Sequence, residues 1–272
     1  MYTLSRKRTK NPKILQWDGE HLGDWATVLE NSDVLINLTG KSVDCRYTET
    51  NKTLIMESRT LSTSVLGEAV LQCKNPPKVW LNASTSTIYS HSLDTPNTEE
   101  SETPAHTFSE QVAKAWEESF FSSKTPKTRK VAMRISIVLG RDGGALTPLK
   151  NITKFGLGGT QGAGNQMISW VHEDDLRRAI DFCITNDTIS GPINIVAPNP
   201  VRNAYFMKTL RKTMRMPIGL PAMRWMLAIG TFLLGTEAEL VLKSRFVHPG
   251  VLREKGFTFH YPKLEDALKD LI

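Results

Sequence analysis

Short apolar runs alternate along this chain with longer segments in which apolar residues recur at every third or fourth position. The short runs are typical of buried parallel strands, and the longer segments are typical of helices that cover a sheet. This alternation predicts an α/β fold in which crossover helices join parallel strands. The predicted strands occupy residues 33–38, 78–82, 130–139, 167–172 and 191–196.

Two predicted helices carry the clearest periodicity. One covers residues 49–72, and the other places Phe108, Val112, Trp116 and Phe120 on one face at intervals of four. Beyond residue 203 the pattern is mostly helical, with predicted helices at 205–214, 223–234 and 237–242. We therefore expect a core domain over residues 1–200 and a small, mostly helical C-terminal subdomain on the substrate side over residues 201–272.

The first segment, residues 1–19, has the pattern of the second strand of a Rossmann-type sheet followed by a basic turn. The expected fold is therefore a Rossmann-type parallel sheet that lacks its first strand–loop–helix unit, roughly thirty residues. A dinucleotide's pyrophosphate normally lies on the glycine-rich loop of that unit, so weakened or lost cofactor binding is expected. Unpaired strand edges would also favour self-association through the exposed sheet.

Composition adds little that is specific. The net charge of +6 suits a phosphorylated ligand or an anionic surface, or only scattered surface lysines. No aromatic interleaving accompanies the basic residues, so nucleic-acid binding is not expected. The apolar stretch 225–234 is too short to span a bilayer, and no signal peptide is expected. Cys45, Cys73 and Cys183 lack the spacing of a zinc site and indicate the cytoplasm or another reducing compartment.

Gly156, Gly159 and Gly162 have the spacing of a dinucleotide fingerprint. A phosphate-binding loop must follow a strand and open a helix, whereas these glycines lead into the strand-like segment 167–172. We therefore interpret them as a flexible loop over a cleft.

Ser5, Arg6 and Lys7 end the first predicted strand. In a Rossmann fold an acidic residue at the end of the second strand binds the ribose 2′-hydroxyl, whereas basic residues accommodate a 2′-phosphate. Ser and basic residues in this place favour NADP over NAD. The alternative is a basic chain terminus without a role.

Hydroxyl groups cluster at 84–89, where a predicted strand ends, and Thr85, Ser86 and Tyr89 could hydrogen-bond a substrate oxygen. A capping turn is the alternative interpretation. His172 precedes Glu173, Asp174 and Asp175, which is typical of a helix N-terminus, and it could also face the substrate.

Together these segments resemble the extended short-chain dehydrogenase/reductases, and more closely an atypical epimerase-like branch with its own C-terminal domain. The order of the motifs along nearly the whole chain carries the resemblance. They are Asn37-Leu-Thr-Gly40, Glu57-Ser-Arg59 with Thr63, Trp116-Glu-Glu118, Met133-Arg-Ile-Ser-Ile-Val-Leu139, Gly143-Gly-Ala-Leu146, Phe155-Gly-Leu-Gly-Gly159, Trp170-Val-His-Glu-Asp-Asp175, Ala197-Pro-Asn-Pro-Val-Arg-Asn203 and the tail from Pro249 to Leu268.

The resemblance implies a core that binds NADP, with Asn37, Leu38, Thr39, Gly40 and Arg134 against the cofactor. It also implies a Ser or Thr, here Thr85 or Ser86, beside a Tyr-x-x-x-Lys pair in which Tyr is the acid/base. No such pair exists in residues 108–114. Tyr89 and His172 therefore join the catalytic candidates.

Two classes of function stay open. One is an oxidoreductase or epimerase that moves hydride between NADP(H) and a carbonyl or hydroxyl carbon of a small molecule. The other is a non-catalytic dinucleotide sensor or interaction protein, or a truncated form with impaired cofactor binding.

Overall fold

The structure, a computed structural model, describes residues 1–223, 225–227, 237 and 239–272. Its strands are β1 (Thr3–Ser5), β2 (Ile14–Gln16), β3 (Val34–Asn37), β4 (Val79–Thr85), β5 (Arg129–Ile135), β6 (Ile137–Leu139), β7 (Met167–Ile168), β8 (Trp170–His172), β9 (Gly191–Ile195) and β10 (Val201–Arg202). Its helices are α1 (Glu49–Gln72), α2 (Phe108–Ser122), α3 (Leu146–Lys154), α4 (Glu173–Thr185), α5 (Asn203–Thr213), α6 (Glu239–Leu242), α7 (Gly250–Glu254) and α8 (Leu264–Leu271).

Four parallel strands form the central sheet in the order β3-β4-β5-β9. Two further parallel pairs, β1–β2 and β6–β8, and the antiparallel pair β7–β10 complete the described pairings. Within the described residues β1 pairs with β2 and β3 with β4, and the two groups are not hydrogen-bonded to each other. In the central sheet, β3 is therefore an edge strand among the described residues. Self-association through exposed strand edges stays a prediction.

Alternating side chains of the central sheet pack on helices at both faces. On β4, Trp80 contacts Phe120 of α2 at a ring distance of 4.8 Å and belongs to the core under α1 and α2. Leu81 points the other way, into a core that includes Ala179 and Cys183 of α4. The α/β fold with a parallel, Rossmann-like sheet is thus confirmed.

The helices that cover the first face begin at side-chain caps. Thr48 accepts a hydrogen bond from the Asn51 amide at the start of α1. At the start of α2, Thr107 and Glu110 form a reciprocal capping box. Each cap satisfies amides that have no partner in the first turn, which fixes where the helix begins.

Three elements differ from the sequence prediction. The predicted strand 130–139 divides at Ser136, whose amide donates to Ile195, and β6 then pairs with β8 instead of continuing the central sheet. Helix α3 was not predicted, because it follows a run of glycines. Strand β2 is too short to show a two-residue period.

The C-terminal segment packs closely on the core. Leu139 and Trp170 share an apolar cluster with Phe206 of α5 and Leu268 of α8. Because β10 pairs with β7, strand pairing crosses the predicted boundary at residue 200, and the two-domain division stays a prediction. Most of the helix predicted at 223–234 lies outside the described residues. Among the described helices, none has both the length and the apolarity that crossing a bilayer requires.

Candidate functional site

Polar side chains meet under the helices where β3 ends beside the middle of β4. Asn37 and Asn82 are in register, and the Asn37 amide donates to Asn82 at 2.7 Å and to the Thr63 hydroxyl at 3.2 Å. The Trp116 indole donates to the same hydroxyl at 3.0 Å. We call these four residues, all at least nine-tenths buried, the strand-end cluster. It joins two strands to α1 and α2.

The backbone that follows Asn37 is fixed by a hydrogen bond to the Asn37 side chain, yet it is accessible to solvent. The Asn37 side-chain oxygen accepts a hydrogen bond from the Thr39 amide at 3.0 Å, while Leu38 is 64% exposed. The Asn37 side chain is therefore occupied by protein groups, and residues 38–40 offer mainly their backbone to a ligand. A cofactor contact of Asn37, Leu38, Thr39 and Gly40 stays a prediction.

Arg59 of α1 lies beside this backbone. Its guanidinium stacks over the Trp116 ring at 5.0 Å, and a Cβ atom at Gly40 would lie 3.0 Å from the Arg59 Cζ. Burial lowers the pKa of Arg59, and the nearby Tyr47 phenol acts in the opposite direction. In the sequence, Arg59 stands out only as part of the Glu57-Ser-Arg59 motif.

Thr85 and Ser86 occupy a turn at the end of β4. The Thr85 hydroxyl accepts a hydrogen bond from the Thr87 amide at 3.1 Å and caps a short 3-10 helix, Ser86–Ile88. The capping interpretation is confirmed for Thr85. Ser86 is 2% exposed. Their catalytic roles stay predictions.

Tyr89 is buried within a polar network. Its hydroxyl donates to the Asn194 side chain at 2.8 Å and accepts from Arg134 at 2.7 Å. Burial raises the pKa of Tyr89 to about 12, although Arg134 and Asn194 favour the ionised form. A protonated, buried phenol of this kind holds its neighbours in place, and the catalytic role of Tyr89 stays a prediction.

Arg134 occupies the centre of the same network. Its guanidinium donates to both oxygens of Glu117, at 2.9 and 2.7 Å, and Ser84 donates to Glu117 at 2.6 Å. Ser84, Arg134 and Asn194 form one row across β4, β5 and β9. Because Arg134 is only 6% exposed and Glu117 and Tyr89 engage its nitrogens, the arrangement gives it an internal structural role. The cofactor contact suggested by the resemblance stays a prediction.

His172 lies in a different environment from Thr85 and Tyr89. Its Nδ1 accepts the Asp174 amide at 3.0 Å and caps α4, so the predicted helix N-terminus is confirmed. The ring stacks on Tyr261 at 3.8 Å, and its Nε2 lies 3.3 Å from the Asp270 carboxylate. The described contacts do not bring His172 to the other catalytic candidates.

The predicted adenosine end of the site is an exposed turn. The Ser5 hydroxyl accepts the Lys7 amide at 3.1 Å, which fixes the turn that follows β1. Arg6 and Lys7 are exposed there, without an ion pair in the described chain. Their side chains are free to meet an anion.

The glycine-rich segment is not a phosphate-binding loop, because it leads into β7 rather than a helix, as predicted. Its amides bond elsewhere: Gly159 donates to Leu220 at 3.1 Å and Gly162 to Ala222 at 2.8 Å. These bonds attach the loop to the segment after α5.

At the first turn of α2, side chains from distant parts of the chain come together, and no sequence motif predicts them. The Tyr47 hydroxyl lies 3.5 Å from the Ser109 hydroxyl, at the place where the resemblance expects the catalytic Tyr. Glu110 accepts from Lys243 at 2.7 Å, and Lys243 also donates to the Thr87 carbonyl at 2.9 Å. No local pattern could reveal these contacts, which join distant parts of the chain.

Comparison with known proteins identifies the family to which the chain belongs. Residues 2–196 match the family model described as NAD dependent epimerase/dehydratase family, and residues 224–271 match a domain of unknown function, DUF1731. An epimerase family protein of Staphylococcus haemolyticus is 36% identical over 274 residues, covering 99% of this chain and 89% of that protein. The epimerase family protein YfhF of Bacillus subtilis is 35% identical, covering 100% and 89%.

Solved structures of epimerase family proteins are also similar to this chain. A crystal structure of human epimerase family protein SDR39U1 (isoform 2) with NADPH superposes with a TM-score of 0.89 at 26% identity, covering 99% of this chain and 90% of that chain. The nucleoside-diphosphate sugar epimerase of Corynebacterium glutamicum gives a TM-score of 0.79 at 30% identity, covering 98% and 51%. On the strength of the family match and these relatives, the chain belongs to the NAD dependent epimerase/dehydratase family.

Proposed function

We propose that this protein binds NADP(H) and acts as an oxidoreductase or epimerase on a carbonyl or hydroxyl carbon of a small molecule. The observation that carries the proposal is the similarity over 99% of the chain to a human relative crystallised with NADPH. When bound, the reduced cofactor supplies a hydride. This chain's own residues bind and orient it.

The residues at the strand ends fit an anionic dinucleotide. Arg6 and Lys7 in the turn after β1 suit a 2′-phosphate, and no carboxylate stands in that turn to favour a free ribose hydroxyl. Further along, the exposed backbone at Leu38 and Gly40 lies where ligands bind in open α/β sheets, at the carboxyl ends of the strands.

Titration of the purified protein with NADPH and NADH, followed by nicotinamide fluorescence, tests the proposal. We expect NADPH to bind at least about tenfold more tightly, because one charge-assisted phosphate contact is worth at least that factor. Arg6→Gln and Lys7→Gln should weaken NADPH binding and leave NADH binding unchanged. Lys10→Gln, at a neighbouring exposed position, is the matched control. Failure of the wild type to bind either cofactor would overturn the proposal.

A second candidate is a non-catalytic dinucleotide sensor. The first turn of α2 favours it, because Glu110 is buried against Lys243 and no Tyr-x-x-x-Lys pair is present. A screen of carbonyl compounds for NADPH oxidation separates the two candidates. Tight NADPH binding without turnover would favour the sensor, and turnover would favour the enzyme.

A further inference from the structure

Arg59 is a partly buried cation without an acidic partner. Its described hydrogen bond is from Nη1 to the Ile55 carbonyl of its own helix, at 2.9 Å, and no carboxylate within the described residues pairs with it. Arg134, by contrast, is matched by both oxygens of Glu117. Because an unpaired charge is costly to bury, an anionic ligand would offset the cost of holding the Arg59 guanidinium in this partly buried place.

The Arg59 side chain is held in a fixed orientation. Its guanidinium lies over the indole of Trp116, which is itself fixed by a 3.0 Å hydrogen bond to Thr63. Stacking of a guanidinium on an aromatic ring leaves its N–H groups directed outward in the guanidinium plane. Nε and Nη2 are the nitrogens that the helix does not use.

Gly40 brings the backbone close to those nitrogens. A Cβ atom there would lie 3.1 Å from Nη2 and 3.3 Å from Nε, so any larger residue would crowd the guanidinium. The same residues lie at the carboxyl end of β3, beside the exposed Leu38. The guanidinium edge therefore adjoins the surface at which a ligand of this sheet would bind.

We propose that Arg59 binds phosphoryl oxygens through Nε and Nη2, with the phosphate carried either by the dinucleotide or by the substrate. Two parallel N–H groups match the geometry of a phosphate, which is the ligand that arginine binds best in a bidentate manner. The inference rests on the proposed function for the identity of the site, although phosphate binding by Arg59 can be tested without it.

The experiment compares wild type, Arg59→Gln and Arg59→Lys in two titrations. The first measures NADPH binding by nicotinamide fluorescence. The second measures the shift in melting temperature caused by inorganic phosphate and pyrophosphate, with and without saturating NADPH. Arg177→Gln, an exposed arginine on α4 at the opposite face of the sheet, is the matched control.

If the phosphate belongs to the dinucleotide, Arg59→Gln weakens NADPH binding about 10-fold to 100-fold, and Arg59→Lys restores part of the loss. If it belongs to the substrate, NADPH binding is unchanged, and inorganic phosphate stabilises the NADPH complex of the wild type but not that of Arg59→Gln. Both results support the proposal. Unchanged responses of Arg59→Gln in both titrations would overturn it.

A further result distinguishes this inference from the proposed function. If the wild type binds no NADPH but is stabilised by pyrophosphate in an Arg59-dependent manner, the anion site stands and the proposed function fails. Circular dichroism checks that each variant folds. Should Arg59→Gln not fold, Gly40→Ala provides the second test, because its methyl group would displace the guanidinium and lower the same affinities.

Discussion

The carboxylate of Glu117 and the guanidinium of Arg134 form a two-point ion pair inside the protein, with N–O distances of 2.9 and 2.7 Å. The pair connects α2 to β5, and both residues are less than one-tenth exposed. Burial alone would lower the pKa of Arg134, but Glu117 outweighs that effect and raises it. Each of the two buried charges therefore depends on the other to offset the cost of its burial.

Removing one member of this pair should destabilise the protein strongly. Arg134→Met should lower the free energy of unfolding by about 3–5 kcal/mol, because it leaves a buried carboxylate without its cation. Adding Glu117→Leu should recover part of the loss, so the double variant is more stable than the sum of the single effects. Urea unfolding measures both.

The control is an exposed pair of similar length, Lys78 and Asp33, at 2.9 Å. Asp33→Asn should leave the free energy of unfolding almost unchanged, because both side chains are exposed to solvent. Strictly additive effects of Arg134→Met and Glu117→Leu would contradict the coupling.

Acid should weaken the link between Lys243 and the first turn of α2. Burial alone would raise the pKa of Glu110, but hydrogen bonds from Lys243 and the Thr107 amide outweigh it, so its pKa lies below the ordinary 4.5. A carboxylate with a depressed pKa stabilises the fold above its unfolded-state pKa, and that contribution disappears as the pH falls below about 4.5.

Unfolding by urea between about pH 7 and pH 3.5 tests this effect. Glu110→Gln should lower the free energy of unfolding at neutral pH. The further decrease in this free energy between about pH 7 and pH 3.5 should be smaller than in the wild type. Glu118→Gln, at an exposed position of the same helix, should show the same dependence of the free energy of unfolding on pH as the wild type. Identical slopes for wild type and Glu110→Gln would contradict the expectation.

Cys183 should resist thiol reagents in the folded protein. It is a fully buried residue of α4, and burial raises the pKa of its thiol to about 12, so the reactive thiolate is scarce at neutral pH. Alkylation followed by peptide mass spectrometry should label Cys45 first and Cys183 only after unfolding. Labelling of native Cys183 at the rate of Cys45 would be inconsistent with the packing.

Gly159 should not tolerate a side chain. A Cβ atom there would overlap the Leu220 carbonyl and the Pro221 nitrogen, which are backbone atoms that cannot rotate away. Gly159→Ala should lower the free energy of unfolding by about 1–3 kcal/mol. Gly143→Ala is the matched control, because no described residue other than its chain neighbours lies within 4 Å of its added methyl group. Equal melting temperatures for the two variants would refute the expectation.

Self-association through the strand edges is the remaining prediction. Ile36 of β3 is 41% exposed, and its strand pairs with β4 on one side among the described residues. Light scattering should give a mass above that of one chain, and Ile36→Lys should reduce it, because edge lysines block strand pairing. Leu71→Lys, on α1, is the control. A stable monomer of the wild type would rule out this mode of association.

The sequence predicted the fold better than the site. Apolar runs at 78–82 and 191–196 correspond to strands because a strand covered on both faces must be apolar throughout. The sequence could not show which polar residues would bind other parts of the protein. Arg134 pairs with Glu117 on α2, and the Tyr89 hydroxyl donates to Asn194 on β9.

The contacts at α2 illustrate the same limit. Tyr47 reaches Ser109 from a loop before α1, and Lys243 reaches Glu110 from the C-terminal segment. No sequence pattern predicts either contact, because both contacts depend on how α1 and the C-terminal segment pack against the sheet. The capping patterns at Thr85 and His172, by contrast, are local and were predictable.

The strand-end cluster has a consequence for ligand binding. Because Asn37 fixes the Thr39 amide and is itself fixed by Thr63 and Asn82, the backbone at 38–40 has little conformational entropy left to lose. A ligand that binds there meets a preorganised surface, so more of each new contact contributes to affinity. Asn37→Ala would loosen that surface, and the resulting loss of affinity would be largely entropic.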